Sequence, residues 1–499
     1  GFPMTIEQLV SVLNNVEVKG DVNKEIEFIT HDSRRVRKNT LFVCICGTRV
    51  DGNKFIPQAI EAGACAIMTE KDVEVPADIT VIKVPNMREA MELAVPYFYD
   101  YPGKKMRMIG VTGTNGKTSS TYMLRDILRK AGYKVGVIGT IKIMIEDEEM
   151  PIHNTTPDVI DLQEILDKMY KQNIDYVVME VSSHALDMNR IAGCEYDTAM
   201  FTNLTQDHLD YHKTMENYAL AKAKLFDSLS APNLVKSNKN AVINLDDELG
   251  SKTMIEHTKC NLITYGIKND AVLKAENVEI KASGASFDVK YKDDCVHFDL
   301  KVTGMFNVYN ILGVIGVALA EKISFDLIKE TLEAFEAVAG RFELVRQGQD
   351  FSVIVDYAHT PDGLENVLKT AREIAKKRLI VVFGCGGDRD RTKRPIMGRI
   401  AAQLADVVIA TSDNPRTEDP EFILSEVEAG VLPALHGNFH EKITDRRTAI
   451  FRAIELAQKD DIVLIAGKGH ENYQILKTGT IHFDDKEVAI KAIRGKING

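Results

Sequence analysis

The chain has 499 residues and a formal net charge of -11, with 44% apolar and 27% charged residues. The length predicts about three domains, and the composition is that of a soluble globular protein. The negative charge argues against a nucleic-acid-binding surface, and the longest apolar run, residues 311–320, is too short to span a bilayer.

The cysteines show neither CxxC pairs nor metal-ligand spacing, and they lie scattered at Cys44, Cys46, Cys65, Cys194, Cys260, Cys295 and Cys385. We interpret them as reduced thiols, which predicts a cytoplasmic protein without disulfides. No signal peptide is visible. We expect a monomer that binds small molecules rather than nucleic acid or membranes.

Residues 1–103 read as a small α/β domain. A helical stretch at residues 54–62 alternates with short β-like runs at residues 27–29, 41–46, 66–68 and 80–84. Residues 97–105 are aromatic, then Pro-Gly, then basic, which predicts a linker.

A glycine-rich loop opens the second segment, residues 104–338. The apolar residues 108–111 predict a buried strand, residues 113–116 a turn, and Lys117 the start of a helix. Such a loop points backbone N–H groups at a polyphosphate, with a lysine for the terminal phosphates and a hydroxyl for Mg²⁺. Val111 stands five residues before Gly116, where a standard P-loop has glycine, so we predict a variant nucleotide-binding loop.

The rest of this segment predicts a mainly parallel sheet covered on both faces by helices. Apolar strands are expected at residues 134–138, 176–180, 198–203, 241–244 and 262–265. Residues 278–302 alternate apolar and polar side chains, which predicts an antiparallel appendage. The charge run at residues 146–149 is expected to be a solvated loop.

Two strand ends carry candidate metal ligands. Glu180 ends one strand and His208 follows the next, and a carboxylate with a neutral imidazole suits Mg²⁺ held jointly with phosphate oxygens. The alternative for His208 is a buried histidine satisfied by hydrogen bonds. Lys222 and Lys224 cannot share one face of their helix, and composition alone indicates that both are solvated.

Residues 339–499 predict a Rossmann-like domain with strands at residues 351–356, 379–384, 406–411 and 461–466. Polar clusters follow all four strands, at residues 356–359, 384–391, 413–416 and 467–471. Ligands gather at the carboxyl ends of strands in open α/β sheets. The mixture of arginine and carboxylate side chains suits a ligand with both anionic and cationic groups, such as an amino acid.

Taken together, these motifs make the chain resemble the Mur ligase family, ATP-dependent amide-forming enzymes of peptidoglycan synthesis. The resemblance covers nearly the whole chain and is carried by residues 113–118 (GTNGKT), 180–184 (EVSSH), 202–204 (TNL), 207–208 (DH), 304–310 (GMFNVYN), 340–343 (GRFE) and 356–359 (DYAH). It implies an α/β fold of three domains: a UDP-sugar-binding domain at 1–103, a central ATP-binding domain at 104–338 and a C-terminal amino-acid-binding domain at 339–499.

The resemblance also implies roles for individual residues. Catalytic roles fall to Lys117, Glu180, His208 and Lys222. ATP would be bound by Gly113, Thr114, Asn115, Gly116, Lys117, Thr118, Ser119, Asn307, Arg341, Asp356 and His359. Mg²⁺ would be held by Thr118, Glu180, His208 and Lys222, the last as a carbamate.

Within the family the chain most resembles the member that adds the third residue of the peptide. Contacts to the UDP-muramoyl dipeptide would come from Ser33, Asn154, Thr155, Thr156, Ser182 and Arg190. The amino acid meso-diaminopimelate would be bound by Arg389, Asp413, Asn414, Pro415, Arg416, Gly467 and Glu471. Met188 departs from the glutamine that related enzymes often have, so we assign no contact there.

The implied reaction joins meso-diaminopimelate to the D-glutamate γ-carboxylate of UDP-MurNAc-L-Ala-D-Glu through an acyl phosphate. Two anions must meet in it, so cations such as Lys117 and Mg²⁺ are required between them. Diaminopimelate differs from lysine by one carboxylate, for which Arg416 offers a planar fork. The alternatives are a lysine-adding ligase, a folylpolyglutamate synthetase and, from another class, a regulatory P-loop ATPase.

Overall fold

The computed structural model describes residues 3–47, 51–140, 142–151, 158–205, 214–232 and 234–499. The chain divides into two compact units, Gly1–Val272 with Gly313–Leu327, and Leu273–Leu312 with Ile328–Gly499. None of the helices in the described ranges combines the length and the apolar character needed to cross a bilayer.

The first hundred residues form a small α/β layer in the first unit. The elements are β1 (Met4–Thr5), α1 (Ile6–Val10), β2 (Glu17–Lys19), β3 (Glu25–Ile26), β4 (Phe28–Thr30), β5 (Thr40–Val43), α2 (Ile56–Ala62), β6 (Ala64–Thr69), β7 (Thr80–Lys83) and α3 (Met87–Phe98). One sheet has the order β2-β7-β6-β5-β4, and β1 pairs with β3. The pairs from β4 to β7 are parallel. The predicted α/β character is confirmed.

The predicted linker at residues 97–105 is largely folded. Its first two residues belong to α3, and Phe98 and Tyr99 are buried in the core of the N-terminal layer. The prediction of a simple linker was therefore wrong at this end, because the aromatic side chains pack as an amphipathic helix terminus.

The remainder of the first unit contains the phosphate loop. Its elements are β8 (Arg107–Thr112), α4 (Lys117–Lys130), β9 (Val135–Ile138), β10 (Lys142–Ile145), β11 (Glu148–Pro151), α5 (Val159–Lys171), β12 (Tyr176–Glu180), α6 (Ser183–Asp187), β13 (Thr198–Phe201), α7 (Met215–Ser228), β14 (Asn240–Asn244), α8 (Glu248–Glu256) and β15 (Asn261–Gly266). The strands follow the order β11-β10-β9-β12-β8-β13-β14-β15. The pairs from β9 to β15 are parallel, as predicted.

The charge run at residues 146–149 is not a loop throughout. Glu146 and Asp147 form the turn between β10 and β11, whereas Glu148 and Glu149 begin β11. β10 and β11 pair as an antiparallel hairpin, and the backbone pairing outweighs the poor strand propensity of glutamate.

From residue 273 the elements are β16 (Leu273–Lys281), β17 (Gly284–Tyr291), β18 (Asp294–Leu300), α9 (Met305–Ala320), α10 (Phe325–Ala334), β19 (Glu343–Leu344), β20 (Ser352–Asp356), α11 (Pro361–Ile374), β21 (Leu379–Phe383), α12 (Lys393–Leu404), β22 (Val407–Ala410), α13 (Pro420–Ala434), β23 (Phe439–Lys442), α14 (Arg446–Leu456), β24 (Ile462–Ala466), β25 (Tyr473–Leu476), β26 (Gly479–His482) and α15 (Asp485–Asn498). β16, β17 and β18 are antiparallel, which confirms the predicted appendage. The apolar run at 311–320 lies in α9, as expected.

The C-terminal sheet has the order β19-β20-β24-β21-β22-β23, parallel from β20 to β23. Successive strand residues point to opposite faces. Val381 and Leu464 pack in a core with α11, α12 and α13, while Val382 and Ile465 pack in a second core with α14 and α15. Because helices bury both faces of the sheet, polar residues lie at the carboxyl ends of the strands. This agrees with the prediction of a Rossmann-like domain.

Candidate active site

The phosphate loop has the predicted strand–loop–helix geometry. β8 ends at Thr112, and α4 begins at Lys117 with Gly116 at its N-cap, at a φ of 91°. Gly113 has a φ of 144°, and a Cβ atom there would lie 1.8 Å from the Oγ1 of Thr202. Only glycine fits at this position, because both the backbone angle and the space exclude a side chain.

The end of β13 holds the loop in place. The carbonyl oxygen of Asn203 accepts from the N–H of Thr114 at 2.9 Å, and its side-chain oxygen accepts from the N–H of Asn115 at 3.0 Å. Asn203 also donates from Nδ2 to the carbonyl of Asn115 at 3.0 Å. These bonds are available because β8 and β13 are neighbours in the sheet, so the loop is preformed.

Two lysines converge on the loop. Lys117 Nζ donates to the carbonyl oxygen of Gly113 at 2.7 Å, and Lys222 Nζ donates to the same oxygen at 3.1 Å. Lys222 is 1% exposed and lies over the ring of Tyr218, 4.3 Å from its centroid. The composition-based expectation of solvation was wrong for Lys222, which α7 turns inward. It holds for the exposed Lys224.

Sequence reasoning missed Tyr218 as a member of this site. Its hydroxyl accepts from the Oγ1 of Thr114 at 3.2 Å, so it contacts both the loop and Lys222. The signal was present in the sequence: Tyr218 precedes Lys222 by four residues and therefore shares its helix face.

Thr118 and Glu180 form a pair of oxygen ligands beside the loop. Thr118 Oγ1 donates to Glu180 Oε1 at 3.0 Å, and the N–H of Thr140 donates to Glu180 Oε2 at 3.3 Å. Glu180 is 7% exposed. A hydroxyl and a buried carboxylate are hard oxygen donors, which fit Mg²⁺ with phosphate oxygens and water as its other ligands. His208 lies outside the described residues.

Three of the six residues predicted to bind the UDP-muramoyl dipeptide are described, and they lie in the first unit. Ser33 begins a 3₁₀ turn after β4 and donates to Gln58 Oε1 at 3.4 Å. Ser182 caps α6 by accepting from the N–H of Ala185 at 3.1 Å. Arg190 Nη2 lies 3.3 Å from Nε2 of His184. Asn154, Thr155 and Thr156 lie outside the described residues.

An ion pair connects α5 with the segment that carries Ser33. His31 Nε2 lies 2.7 Å from Asp158 Oδ2, and Asp158 also caps α5 by accepting from the N–H of Asp161. The hydrogen bond with Asp158 raises the pKa of His31. Burial and the charge of Asp158 raise the pKa of Asp161 to about 6.

In the second unit, the four other residues predicted to bind ATP lie in one neighbourhood. Asp356 ends β20 and accepts from the N–H groups of Phe342 and Ala358, both at 2.8 Å. Burial raises the pKa of Asp356, while the charges of Arg341 and His359 oppose that rise. Phe306, next to Asn307, packs edge-to-face on Phe342 with ring centroids 5.4 Å apart.

The predicted diaminopimelate residues line one cavity of about 480 Å³ at the strand ends of the C-terminal sheet. Six of the seven are among its lining residues: Arg389, Asp413, Asn414, Arg416, Gly467 and Glu471. Pro415 lies within the same turn between Asn414 and Arg416. The cavity is also lined by His359, which was predicted to bind ATP, and by Tyr357, Gly384, Cys385, Gly386 and Asp390 of the predicted polar clusters. Sequence reasoning did not select the four remaining lining residues, Thr360, Lys393, Arg394 and Met397.

The charges in this cavity are unevenly paired. Arg389 donates to the carbonyl of Asp388 at 2.9 Å, and Arg416 donates to the carbonyl of Gly387 at 3.0 Å. Within the described ranges, neither arginine has an ion pair with a carboxylate. Burial, together with the charge of Asp413, raises the pKa of Glu471. Among its charged lining residues, the cavity therefore presents two guanidinium groups outside ion pairs and the carboxyl group of Glu471 to a ligand.

Two buried arginines brace the loops around the cavity. Arg394 is 1% exposed and pairs with Glu426 at 2.7 Å and Glu418 at 2.9 Å. Arg446 pairs with Asp485 at 2.7 Å and donates to the carbonyls that follow β22 and end β24. The sequence carried no signal for either brace, because burial of a single charged side chain depends on tertiary packing.

A preformed phosphate loop, a buried carboxylate and a cavity charged for an amino acid define a nucleotide-dependent α/β enzyme. Three family models match the chain: the Mur ligase family catalytic domain at residues 25–99, the Mur ligase middle domain at 111–318, and the Mur ligase glutamate ligase domain at 340–469.

Relatives match over almost the whole length. A Clostridium botulinum protein named UDP-N-acetylmuramoyl-L-alanyl-D-glutamate--2,6-diaminopimelate ligase is 48% identical over 94% of this chain and 96% of its own. A Bacillus velezensis protein of the same name is 48% identical over 98% and 99%. A solved structure of a ligase with that name is 33% identical, with a TM-score of 0.75, and covers 99% of this chain and 100% of its own.

The chain belongs to the Mur ligase family. It is an ATP-dependent, amide-forming ligase with three Mur ligase domains. The predicted family, fold class and enzyme class are confirmed. The exact domain boundaries and the individual residue roles stay predictions.

Proposed function

We propose that the enzyme joins meso-diaminopimelate to the D-glutamate γ-carboxylate of UDP-MurNAc-L-Ala-D-Glu, with ATP as the phosphoryl donor. The observation that carries this proposal is the cavity in which Arg389 and Arg416 have no carboxylate partner among the described residues while Glu471 lies beside them. Such a cavity fits a ligand with two carboxylates and an ammonium group. The names of the near full-length relatives support the same reaction.

The phosphate loop would bind ATP through residues 113–119. The N–H groups of the loop and of the first turn of α4 would face the phosphates, and Lys117 adds a positive charge at the Gly113 carbonyl. This charge opposes the repulsion between the peptide carboxylate and the γ-phosphoryl group. From the family resemblance, Asn307, Arg341, Asp356 and His359 of the second unit stay predicted ATP-binding residues.

Thr118 and Glu180 would hold Mg²⁺, and we keep His208 and a carbamylated Lys222 as its further ligands. The ion would supply charge neutralisation on the transferred phosphoryl group. Glu180 is prepared for this role because its carboxylate is already fixed by Thr118 and Thr140.

We propose a carbamate on Lys222, because a buried lysine beside a phosphate loop serves as a metal ligand only after its charge is inverted. A high-resolution electron-density map of the nucleotide-bound enzyme at neutral pH is expected to show three additional atoms on Nζ. A bare ammonium in that map contradicts the modification.

The dipeptide substrate would contact Ser33, Ser182 and Arg190, together with Asn154, Thr155 and Thr156. In the cavity, Arg389 and Arg416 would bind the two carboxylates of diaminopimelate and Glu471 its distal ammonium group. Asp413, Asn414, Pro415 and Gly467 would form the wall against which the ligand lies. We also propose a cytoplasmic, monomeric enzyme, consistent with seven free thiols.

A coupled phosphate-release assay tests the reaction. ATP and UDP-MurNAc-L-Ala-D-Glu are supplied with either meso-diaminopimelate or L-lysine, and each substrate is omitted in turn. We expect phosphate release only with all three substrates and strong preference for diaminopimelate. Equal or greater turnover with L-lysine would identify the lysine-adding ligase instead, and turnover without the UDP substrate would favour a regulatory ATPase.

A further inference from the structure

Lys468 is a fully buried lysine directly behind the amino-acid cavity. It is 0% exposed, and its Nζ lies 2.8 Å from Asp413 Oδ1, 2.9 Å from Asn414 Oδ1 and 3.1 Å from the carbonyl oxygen of Tyr473. Nζ donates hydrogen bonds to Asn414 Oδ1 and to the carbonyl oxygen of Tyr473, and its contact with Asp413 is an ion pair. Burying a charged group costs a large desolvation free energy unless the group is paired. The ion pair with Asp413 therefore stabilises the buried ammonium group of Lys468.

The turn that Lys468 contacts carries Arg416. The N–H of Arg416 donates to the carbonyl of Ile475 at 3.0 Å, and the N–H of Ile475 donates to Asn414 Oδ1 at 3.0 Å. Arg416 has a φ of 52°, a left-handed conformation that is unfavourable for a residue with a side chain. Surrounding contacts must therefore hold this backbone, and Lys468 ties the turn to β25.

The pairing also decides which charges remain available. Asp413 stands three residues before Arg416, whose guanidinium donates to the carbonyl oxygens of Gly387 and Asn414 and interacts with the charge of Asp388. In a buried environment an unpaired carboxylate attracts the nearest cation strongly. Lys468 is the cation that forms an ion pair with Asp413, and the charge of Asp413 also acts on the buried Arg446.

We propose that Lys468 is a positioning residue for amino-acid selection: it pairs with Asp413, holds the 413–416 turn and keeps the Arg416 guanidinium available for the second carboxylate of the incoming diamino acid. The inference rests on the proposed function and goes further, because it names the group that keeps the selecting arginine unpaired. Lys468 itself does not touch the ligand.

The first test is Lys468→Met, which keeps the approximate side-chain length and removes the charge. We expect the KM for meso-diaminopimelate to rise about tenfold or more, the effect of losing one hydrogen bond to a charged group. The preference for diaminopimelate over L-lysine should fall by a similar factor, while the KM values for ATP and for the UDP substrate stay within about twofold. Unchanged discrimination between the two amino acids overturns the proposal.

The second test is the double variant Asp413→Asn with Lys468→Met, which removes both members of the buried pair. Because no unpaired carboxylate then competes for Arg416, we expect the double variant to discriminate between the two amino acids better than Lys468→Met alone. Discrimination as poor as in the single variant, or poorer, overturns the proposal. If Lys468→Met does not fold, the double variant is compared with the wild type. A KM for meso-diaminopimelate and a discrimination equal to those of the wild type then overturn the proposal, because the 413–416 turn is held without Lys468.

Lys239→Met is the matched control. Lys239 is also buried, donates to the carbonyl of Tyr196 at 2.6 Å and lies 3.5 Å from Glu195, but it belongs to the first unit. We expect this variant to lose stability without changing its preference for diaminopimelate over L-lysine. If Lys239→Met lost that preference as much as Lys468→Met, the effect at Lys468 would be explained by destabilisation alone, which would overturn the proposal. A wild type that releases phosphate with neither amino acid refutes the proposed function; an active wild type with unaffected Lys468 variants refutes only the present inference.

Discussion

At the level of single residues, the amino-acid cavity depends on which charged side chains are paired. Asp413 is paired with Lys468, and Arg394 with Glu418 and Glu426, whereas the hydrogen bonds of Arg389 and Arg416 go to backbone carbonyls. A carboxylate ligand can displace a carbonyl contact more easily than an ion pair, because charge-assisted hydrogen bonds are the stronger ones.

Arg416→Ala is therefore expected to affect diaminopimelate far more than ATP. Removing one partner of a buried charged pair costs about 2–5 kcal/mol, which corresponds to a rise in KM of about 30-fold or more. Steady-state kinetics with each substrate varied in turn measures the effect. Arg391→Ala is the control, since Arg391 lies in the loop after β21 that also carries Arg389, but it pairs with Glu426 and does not line the cavity. Equal losses for ATP and diaminopimelate count against the assignment.

His31 predicts a pH dependence of stability. Its hydrogen bond with Asp158 raises its pKa, and Asp161 and Asp32 add negative charge nearby. The stabilisation is fully present below the ordinary histidine pKa of about 6.5 and is lost as pH rises through the raised value. The measurement is the free energy of unfolding in urea between about pH 6 and 9. We expect it to fall by about 1–2 kcal/mol more in the wild type than in His31→Gln. If the free energies of unfolding of the wild type and the variant change equally with pH across this range, His31 does not contribute to the pH dependence.

At the level of elements, the strand–loop–helix unit from β8 to α4 is fixed by its neighbour β13. Asn203 binds the loop backbone from two sides, and Thr202 lies so close to Gly113 that no side chain fits between them. The conformation that receives phosphates is therefore held by the order of strands in the sheet.

Gly113→Ala tests this element. A left-handed or otherwise strained backbone costs about 1–2 kcal/mol, and the contact with Thr202 adds to that, so the KM for ATP should rise at least about tenfold. Gly132→Ala is the control at the other end of α4: Gly132 has a φ of 99°, but a Cβ atom there would meet nothing within 4 Å. The control should lose some stability and keep its KM for ATP. An unchanged KM in Gly113→Ala would show that the loop conformation does not limit ATP binding.

At the level of the whole molecule, two compact units each have their own hydrophobic cores. We expect denaturant unfolding in more than one step, because two-state behaviour is typical of single small domains. meso-Diaminopimelate at about 100 times its dissociation constant should stabilise only the step of the unit that contains the cavity, by about 2.7 kcal/mol.

The Arg416→Ala variant serves as the control for that experiment and should show little or no shift. L-Lysine should shift the same step by less than diaminopimelate. A ligand-induced shift of every step to the same extent would show that the units do not unfold separately.

The sequence by itself determined the elements and the class of chemistry. Buried strands such as 176–180 and 379–383 were predictable because continuous apolar runs indicate burial on both faces of a sheet. The loop at 113–118 was predictable because glycines followed by a lysine, between a strand and a helix, are typical of phosphate binding. The polar clusters at four strand ends indicated the amino-acid cavity, since parallel strands bring their carboxyl ends to one edge.

Only the tertiary structure decided which charged residues are buried and what they pair with. Lys222 and Lys224 are two residues apart with the same side chain, yet one is enclosed against Tyr218 and the other is exposed. Lys468, Arg394 and Arg446 look like surface residues in the sequence, and each is buried by segments distant along the chain. Charge pairing is a property of three-dimensional neighbours, whereas hydrophobic periodicity is local, and that difference separates what could be predicted here from what could not.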